Sequence, residues 1–202
     1  MEQRSDEWFE ARCGHLTASK IGVALGRLKR SGDRTAAAMD YLYELAAEQI
    51  TGVPAKRSNP MYWGKEHEDE ARASYAFLTN LPVVKIGFIE HPTIAMSGCS
   101  PDSLVGDEGG LEIKCPTSGT HLRTLLEGMP EDHLPQVHWA LACSGRQWWD
   151  FVSYDPRFPD RLQFFQKRVM RDETIIASME AEALDFVGEV GSKLLKLDEL
   201  YP

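Results

Sequence analysis

No run of eighteen apolar residues occurs anywhere in the chain, so no segment reads as a membrane-spanning helix. The opening stretch from Met1 to Glu10 is charged and has no apolar core, so it does not read as a secretory leader. Cysteine is scarce. Cys13, Cys99, Cys115 and Cys143 lie far apart and no Cys-x-x-Cys pair occurs. Zinc-ribbon and iron–sulfur spacings are therefore absent, and reduced thiols in a cytosol are the expected state. Internal repeats and low-complexity tracts are also missing.

What is present is 202 residues at 43% hydrophobic content, which predicts a single domain over residues 1–202 with a sizeable core. A net charge of −9 argues at first against a nucleic-acid partner. The distribution softens that argument. Lys20, Arg27, Lys29, Arg30 and Arg34 are opposed only by Asp33, and Lys56 and Arg57 follow, while much of the acid lies from Asp172 to Glu199. Such a basic lobe could hold DNA, or it could be an ordinary solvated loop. Charge alone does not separate the two.

The stretch from Cys99 to Cys115 carries the chemistry. It predicts a short strand holding Asp102, a turn from Gly106 to Gly110, and an apolar strand holding Glu112 and Lys114. Two residues apart on a strand, Glu112 and Lys114 share a face, while Leu111, Ile113 and Cys115 take the other and enter the core. The turn would set Asp102 beside Glu112. Two carboxylates about 5 Å apart repel by roughly 3 kcal/mol at an effective dielectric of 20, and a divalent cation relieves this better than one lysine does. Hard oxygen ligands suit Mg²⁺ or Mn²⁺. The competing reading is a hairpin with a surface Glu–Lys pair of little energetic worth.

Around this centre the patterning predicts helices at Asp6–Arg12, Lys20–Leu25, Ala36–Ile50, Met61–Asn80, Thr120–Gly128, His133–Ser144 and Asp172–Leu197. Thr17 and Ser19 read as hydroxyl caps on the second of these, a helix start that favours anions, with Arg12 just upstream. On the Met61–Asn80 helix, Glu68, Arg72 and Tyr75 share a face, whereas Trp63, Ala71 and Phe77 are expected inside. Strands are expected at Val83–Glu90, Thr93–Cys99, Asp102–Val105, Leu111–Cys115, Gln147–Tyr154 and Arg161–Val169. The order gives an α/β layered domain, a central mixed β-sheet flanked by helices.

Ser100-Pro101-Asp102 followed by Leu111-Glu112-Ile113-Lys114-Cys115-Pro116 resembles the PD-(D/E)xK nuclease signature, whose members have a restriction-endonuclease-like core. More narrowly, the chain resembles the phage lambda exonuclease and YqaJ-like viral recombinase family. Trp8 with Arg12, Thr17-Ala18-Ser19, Trp63-Gly64-Lys65 with Glu68, Gln136-Val137 and Tyr154-Asp155-Pro156-Arg157 all fall in the family's order.

The resemblance implies a metal-dependent 5′-to-3′ exonuclease on double-stranded DNA that releases 5′-mononucleotides and leaves a 3′ single-stranded overhang for recombination. It implies that Asp102, Glu112 and the carbonyl of Ile113 bind metal, two Mg²⁺ or Mn²⁺ ions per site, and that Lys114 positions or deprotonates the attacking water. Glu68 and Gln136 match supporting residues of the site. Arg12, Ser19 and Ser100 match a pocket for the 5′-phosphate, and Met61 an apolar wedge that unpairs the duplex end. It further implies a homotrimeric ring, a single-strand annealing partner and a phage or prophage setting in a bacterial cytoplasm. Two departures are visible. Gln136-Val137-His138 stands where Gln-x-Gln is frequent, leaving a role for His138 open, and Ser103 stands where Gly is common. The alternatives are a site-specific or structure-specific endonuclease on the same metal core and a non-catalytic DNA-binding recombination scaffold.

Overall fold

A computed structural model describes residues 2–54 and 62–202, with side chains from residue 66 onward in the second stretch. Met61, the expected wedge, lies outside the described residues. The elements in chain order are α1 (Asp6–Arg12), β1 (Leu16–Thr17), α2 (Ile21–Ala24), α3 (Ala36–Thr51), α4 (Tyr62–Thr79), β2 (Val83–Val84), β3 (Ile89–Glu90), β4 (Ser97–Cys99) and β5 (Ser103–Val105). They continue with β6 (Gly109–Lys114), α5 (Ser118–Glu127), α6 (Leu134–Ser144), β7 (Trp148–Tyr154), β8 (Phe164–Met170) and α7 (Glu173–Leu200). Local chemistry accounts for several boundaries. Ser5, Thr35 and Asp172 accept backbone N–H groups at the starts of α1, α3 and α7, and Gly52 and Gly145 end α3 and α6 in the left-handed conformation.

Among the described residues the strands form two sheets. The larger runs β2-β5-β6-β7-β8, with β6 and β7 parallel and the other neighbours antiparallel, and the smaller runs β1-β4-β3. The sequence expectation of one sheet continuous from Val83 is therefore corrected. β2 joins the larger sheet through β5, whereas β3 turns away to pair with β4. The close contact at Gly98 explains the tight local packing, since a Cβ there would lie 2.4 Å from the Phe88 ring.

Strand alternation divides the larger sheet between two helical layers. Leu111 and Ile113 of β6 pack with Ala71 and Tyr75 of α4, Val105 and Val152. On the opposite face Trp149 packs with Trp139 and Leu141 of α6 and with Phe186 of α7. Phe77, expected inside, is 86% exposed. Two residues beyond Tyr75 is a rotation of about 200° on a helix, which carries Phe77 to the far side.

The predicted Gly106–Gly110 turn is also shorter than expected. It spans residues 106–108, and Gly109 and Gly110 belong to β6, paired with Trp148 and Trp149. Their purpose is space. A Cβ on Gly110 would lie 2.1 Å from the ring of Trp149, which is fully buried. Thr17 likewise does not cap the next helix, which begins with a 3₁₀ turn over Ala18–Lys20 before the single turn of α2. Gly110→Ala is expected to destabilise the fold by roughly 2–3 kcal/mol through overpacking, read as a lower urea midpoint with an unchanged m-value.

Candidate active site

The site sits where β5, β6, α4 and α6 meet. Antiparallel pairing sets Ser103 opposite Leu111, so Asp102 leaves β5 alongside Glu112. The Ile113 N–H donates to Asp102 Oδ2 at 2.5 Å and fixes the carboxylate against β6. Glu112 and Lys114 share the α6 face of the strand, as the spacing predicted. Lys114 Nζ donates to Glu112 Oε1 at 2.6 Å, and Gln136 Nε2 of α6 donates to the same oxygen at 2.6 Å. Lys114 Nζ also lies 3.5 Å from Gln136 Oε1. Among the described residues Asp102 Oδ1 and Glu112 Oε2 accept no hydrogen bond.

Glu68 approaches from α4. Arg72 Nη2 donates to Glu68 Oε1 at 2.6 Å, and Arg4 Nη2, from the segment before α1, donates to Glu68 Oε2 at 2.8 Å. Arg72 also donates to Ser103 Oγ at 2.8 Å and to the Asp102 carbonyl at 3.4 Å, and it is paired with Asp69. Gln3 donates to the carbonyls of Pro101 and Ile86 at 2.6 and 2.9 Å. Gln3, Arg4, Glu68, Asp69, Arg72 and Lys85 line a cleft of about 220 Å³ that opens on Asp102.

Burial pushes the Asp102 pKa well up, and the neighbouring charges of Glu112 and Glu68 push it further. For Lys114, burial opposes the charge, but Glu112 and Asp102 outweigh it and hold the pKa above the ordinary lysine value. The ammonium therefore keeps its proton at neutral pH. His133, just before α6, stacks on Phe151 with ring centroids 5.0 Å apart, and Phe151 is the register partner of Glu112. Burial and Lys114 lower its pKa, so it is neutral at pH 7.

The donor set suits a hard divalent cation. It offers two carboxylates, each with one oxygen open, next to one another and carrying more negative charge than Lys114 offsets. No group of three His, Cys, Asp or Glu side chains is placed to hold a metal among the described residues. The third protein donor in such a site would be the Ile113 carbonyl.

A second cluster lies on the same segment. Arg12 Nη1 and Trp8 Nε1 both donate to Ser100 Oγ, at 2.6 and 3.1 Å, and the Arg12 guanidinium lies over the Trp8 ring at 4.2 Å from its centroid. With two donors on its oxygen, the Ser100 hydroxyl has its own hydrogen left for an acceptor. Arg12 makes no ion pair among the described residues, and burial depresses its pKa. A half-buried cation beside a free hydroxyl hydrogen suits an oxyanion. Among the described residues Ser19 makes no hydrogen bond with Arg12 or Ser100. Its hydroxyl lies 3.4 Å from Thr17 Oγ1, and the parallel pairing of Thr17 with Gly98 brings Ser19 and Ser100 out at one end of β1 and β4.

Three expectations change here. The helix start near Lys20 is a 3₁₀ turn over Ala18–Lys20 leading into the single turn of α2, and no side chain caps either. The basic lobe is partly committed within the fold: Arg27 pairs with Glu182 and Asp185, and Arg34 with Asp185 and Glu189, all on α7. His138 is 6% exposed on α6, with Nδ1 lacking a partner among the described residues, and it packs away from the site. Sequence reasoning missed Gln3, Arg4 and His133. No local signal marks them, because each acts across the fold.

The YqaJ-like viral recombinase domain matches residues 7–147. The chain belongs to that family. The alkaline exonuclease LHK-Exo from Laribacter hongkongensis is 40% identical to this YqaJ-like chain, with a TM-score of 0.89 over 96% of this chain and 97% of the other. The same values hold for LHK-Exo in complex with dAMP. A phage-related exonuclease from Haemophilus somnus 129PT, at 15% identity and TM-score 0.67 over 90% and 95% of the two chains, shares the fold. That fold is the PD-(D/E)xK core expected from the motif. No curated protein matches the YqaJ-like chain.

An acid whose folded pKa stands above its unfolded value of about 4 costs stability once pH climbs past that value, because the folded chain holds the proton more tightly. Asp102→Asn removes the charge and keeps an acceptor for the Ile113 N–H. In metal-free buffer the variant is expected to melt higher than the parent at about pH 7 and equally near pH 3, read by calorimetry.

Proposed function

We propose that the chain is a metal-dependent 5′-to-3′ exonuclease on double-stranded DNA, releasing 5′-mononucleotides and leaving a 3′ overhang for phage-type recombination. Family membership and the 40%-identical alkaline exonuclease support a DNA exonuclease of recombination. The relative that holds dAMP supports a mononucleotide product. The observation that carries the reading is the arrangement of Asp102 and Glu112 with a protonated Lys114 between Glu112 and Gln136.

Asp102, Glu112 and the Ile113 carbonyl would hold Mg²⁺ or Mn²⁺, two ions per site. Bound there, the metal supplies Lewis-acid stabilisation and a water of lowered pKa. The protein side of the reaction is then electrostatic. Lys114, hydrogen-bonded to Glu112 and next to Gln136, is placed to position or deprotonate the attacking water and to offset charge on the phosphate in the transition state. Gln136 holds Glu112 and Lys114 in register with α6. Glu68, on the α4 side, adds negative charge next to Asp102.

Direction follows from the second cluster. A terminal 5′-phosphate gripped by Arg12 and Ser100, with Ser19 at the same end of the strands, sets the chain end two residues from Asp102. In this reading three copies close into a ring around DNA, with Met61 as the wedge, and a single-strand annealing protein completes the recombination pair in a bacterial cytoplasm. No described helix is long and apolar enough to cross a membrane.

Linear duplex with 5′-phosphate ends is expected to release acid-soluble nucleotides when Mg²⁺ is supplied, while a closed circle stays intact. Cutting of the circle would make the chain an endonuclease, and no release from either would make it a scaffold. Lys114→Ala is expected to lose on the order of 10³-fold in rate. Arg12→Ala is expected to lose the preference for 5′-phosphate over 5′-hydroxyl ends while keeping its metal requirement. Equal rates on both ends for the parent chain would remove the pocket. Sedimentation at the monomer mass alone would remove the ring.

A further inference from the structure

Glu68 differs from the other two acids of the site in having no free oxygen. Oε1 is held by Arg72 and Oε2 by Arg4. The two arginines are unlike. Arg72 is 8% exposed and is tied to Asp69, Ser103 and the Asp102 carbonyl as well, so it is part of the frame. Arg4 reaches Glu68 from a position 64 residues away in sequence, through one contact, with 42% of its side chain exposed. Its backbone has φ +72°, a left-handed conformation unusual for a non-glycine residue, and Gln3 beside it is pinned by two main-chain carbonyls. The pinned backbone therefore aims a replaceable cation at an acid whose charge bears on Asp102.

We propose that Arg4 is a placeholder for the metal: it neutralises Glu68 in the metal-free chain, is displaced when a divalent ion enters, and then binds a phosphate of the DNA strand at the mouth of the cleft. This rests on the metal-dependent reading above. A divalent ion that draws on Glu68 needs Oε2, and the guanidinium there repels it. Arg72 cannot leave without unpairing a buried network, so Arg4 is the one that moves. Once released, Arg4 stands beside Lys85 on the rim of the cleft. Lys85 stays paired with Asp69, so the freed Arg4 is the cation left without a carboxylate; it recruits an anion, and the polyanion on offer is the nucleic-acid backbone. The exchange keeps the charge of the cleft balanced before and after loading, which a permanent Arg4–Glu68 pair would not.

The test uses the full chain and Arg4→Ala, first without DNA. In a calorimetric titration with Mn²⁺ alone, the variant is expected to bind about two- to fivefold tighter than the parent, the range of a lost exposed ion pair. In anisotropy with a phosphorothioate-ended duplex that resists cleavage, in Mn²⁺, it is expected to bind weaker, with a log-affinity salt slope shallower by about 0.9, one phosphate contact. A structural role alone would not tighten one ligand and loosen the other. The gain for Mn²⁺ should vanish when Glu68→Gln is present in both chains, since the acceptor is then gone. Unchanged or weaker Mn²⁺ binding by Arg4→Ala, an unchanged salt slope, or a gain that survives Glu68→Gln overturns the placeholder. If the parent itself takes up no Mn²⁺, the metal reading falls first and this inference with it.

Discussion

The hydrogen bond from the Ile113 N–H to Asp102 Oδ2 joins two strands at the place where their charges are least compatible. Burial and the nearby carboxylates of Glu112 and Glu68 all disfavour the ionised Asp102. A single acid in that position would turn towards solvent. Here the backbone donor holds it in place, and the sheet on either side holds the donor. β7 pairs with β6 along its whole length, and Trp149 fills the volume that Gly110 leaves. The core thus supports an electrostatic arrangement that is unfavourable by itself, a pattern expected where a site is built for chemistry rather than for stability.

The same logic organises the outer charges. Arg27 and Arg34, which in sequence look like a free basic lobe, are spent on the acidic face of α7. The Arg34 guanidinium also lies over the Phe186 ring, 4.8 Å from its centroid, so this pairing is backed by packing. Charge blocks far apart in sequence are thus partly neutralised against one another within the fold. The positive groups left near the acids are those with a defined geometry: Arg12 over Trp8, Lys114 under Gln136, and Arg4 and Arg72 around Glu68.

How much was legible in the sequence depends on distance along the chain. Asp102, Glu112 and Lys114 lie on one hairpin, and strand periodicity alone brought the last two to one face. Glu68, Gln136, Arg12 and Ser100 could be named from family resemblance, but their partners emerge only when α4, α6 and α1 pack against the sheet. Gly109 and Gly110 read as a turn because glycine marks turns. In the fold they are strand residues flattened by two tryptophans that local sequence cannot place opposite them. Phe77 was misjudged for a similar reason: hydrophobicity suggested burial, whereas its rotation from Tyr75 decided against it. Gln3 and Arg4 carry no pattern at all, since their contacts span the whole domain.

Ser100-Pro101-Asp102 is a short segment with a proline at its centre, and both clusters hang from it. Ser100 belongs to the cluster with Arg12 and Trp8 and Asp102 to the acid centre, at most about 7 Å apart along the backbone. Pro101 is buried, its ring restricts the backbone, and Gln3 grips its carbonyl. Under the proposed function, which anchors a strand terminus at one and cuts at the other, this segment is a gauge of fixed length. The size of each fragment removed would then be written into covalent geometry, indifferent to base identity and to which ion does the work.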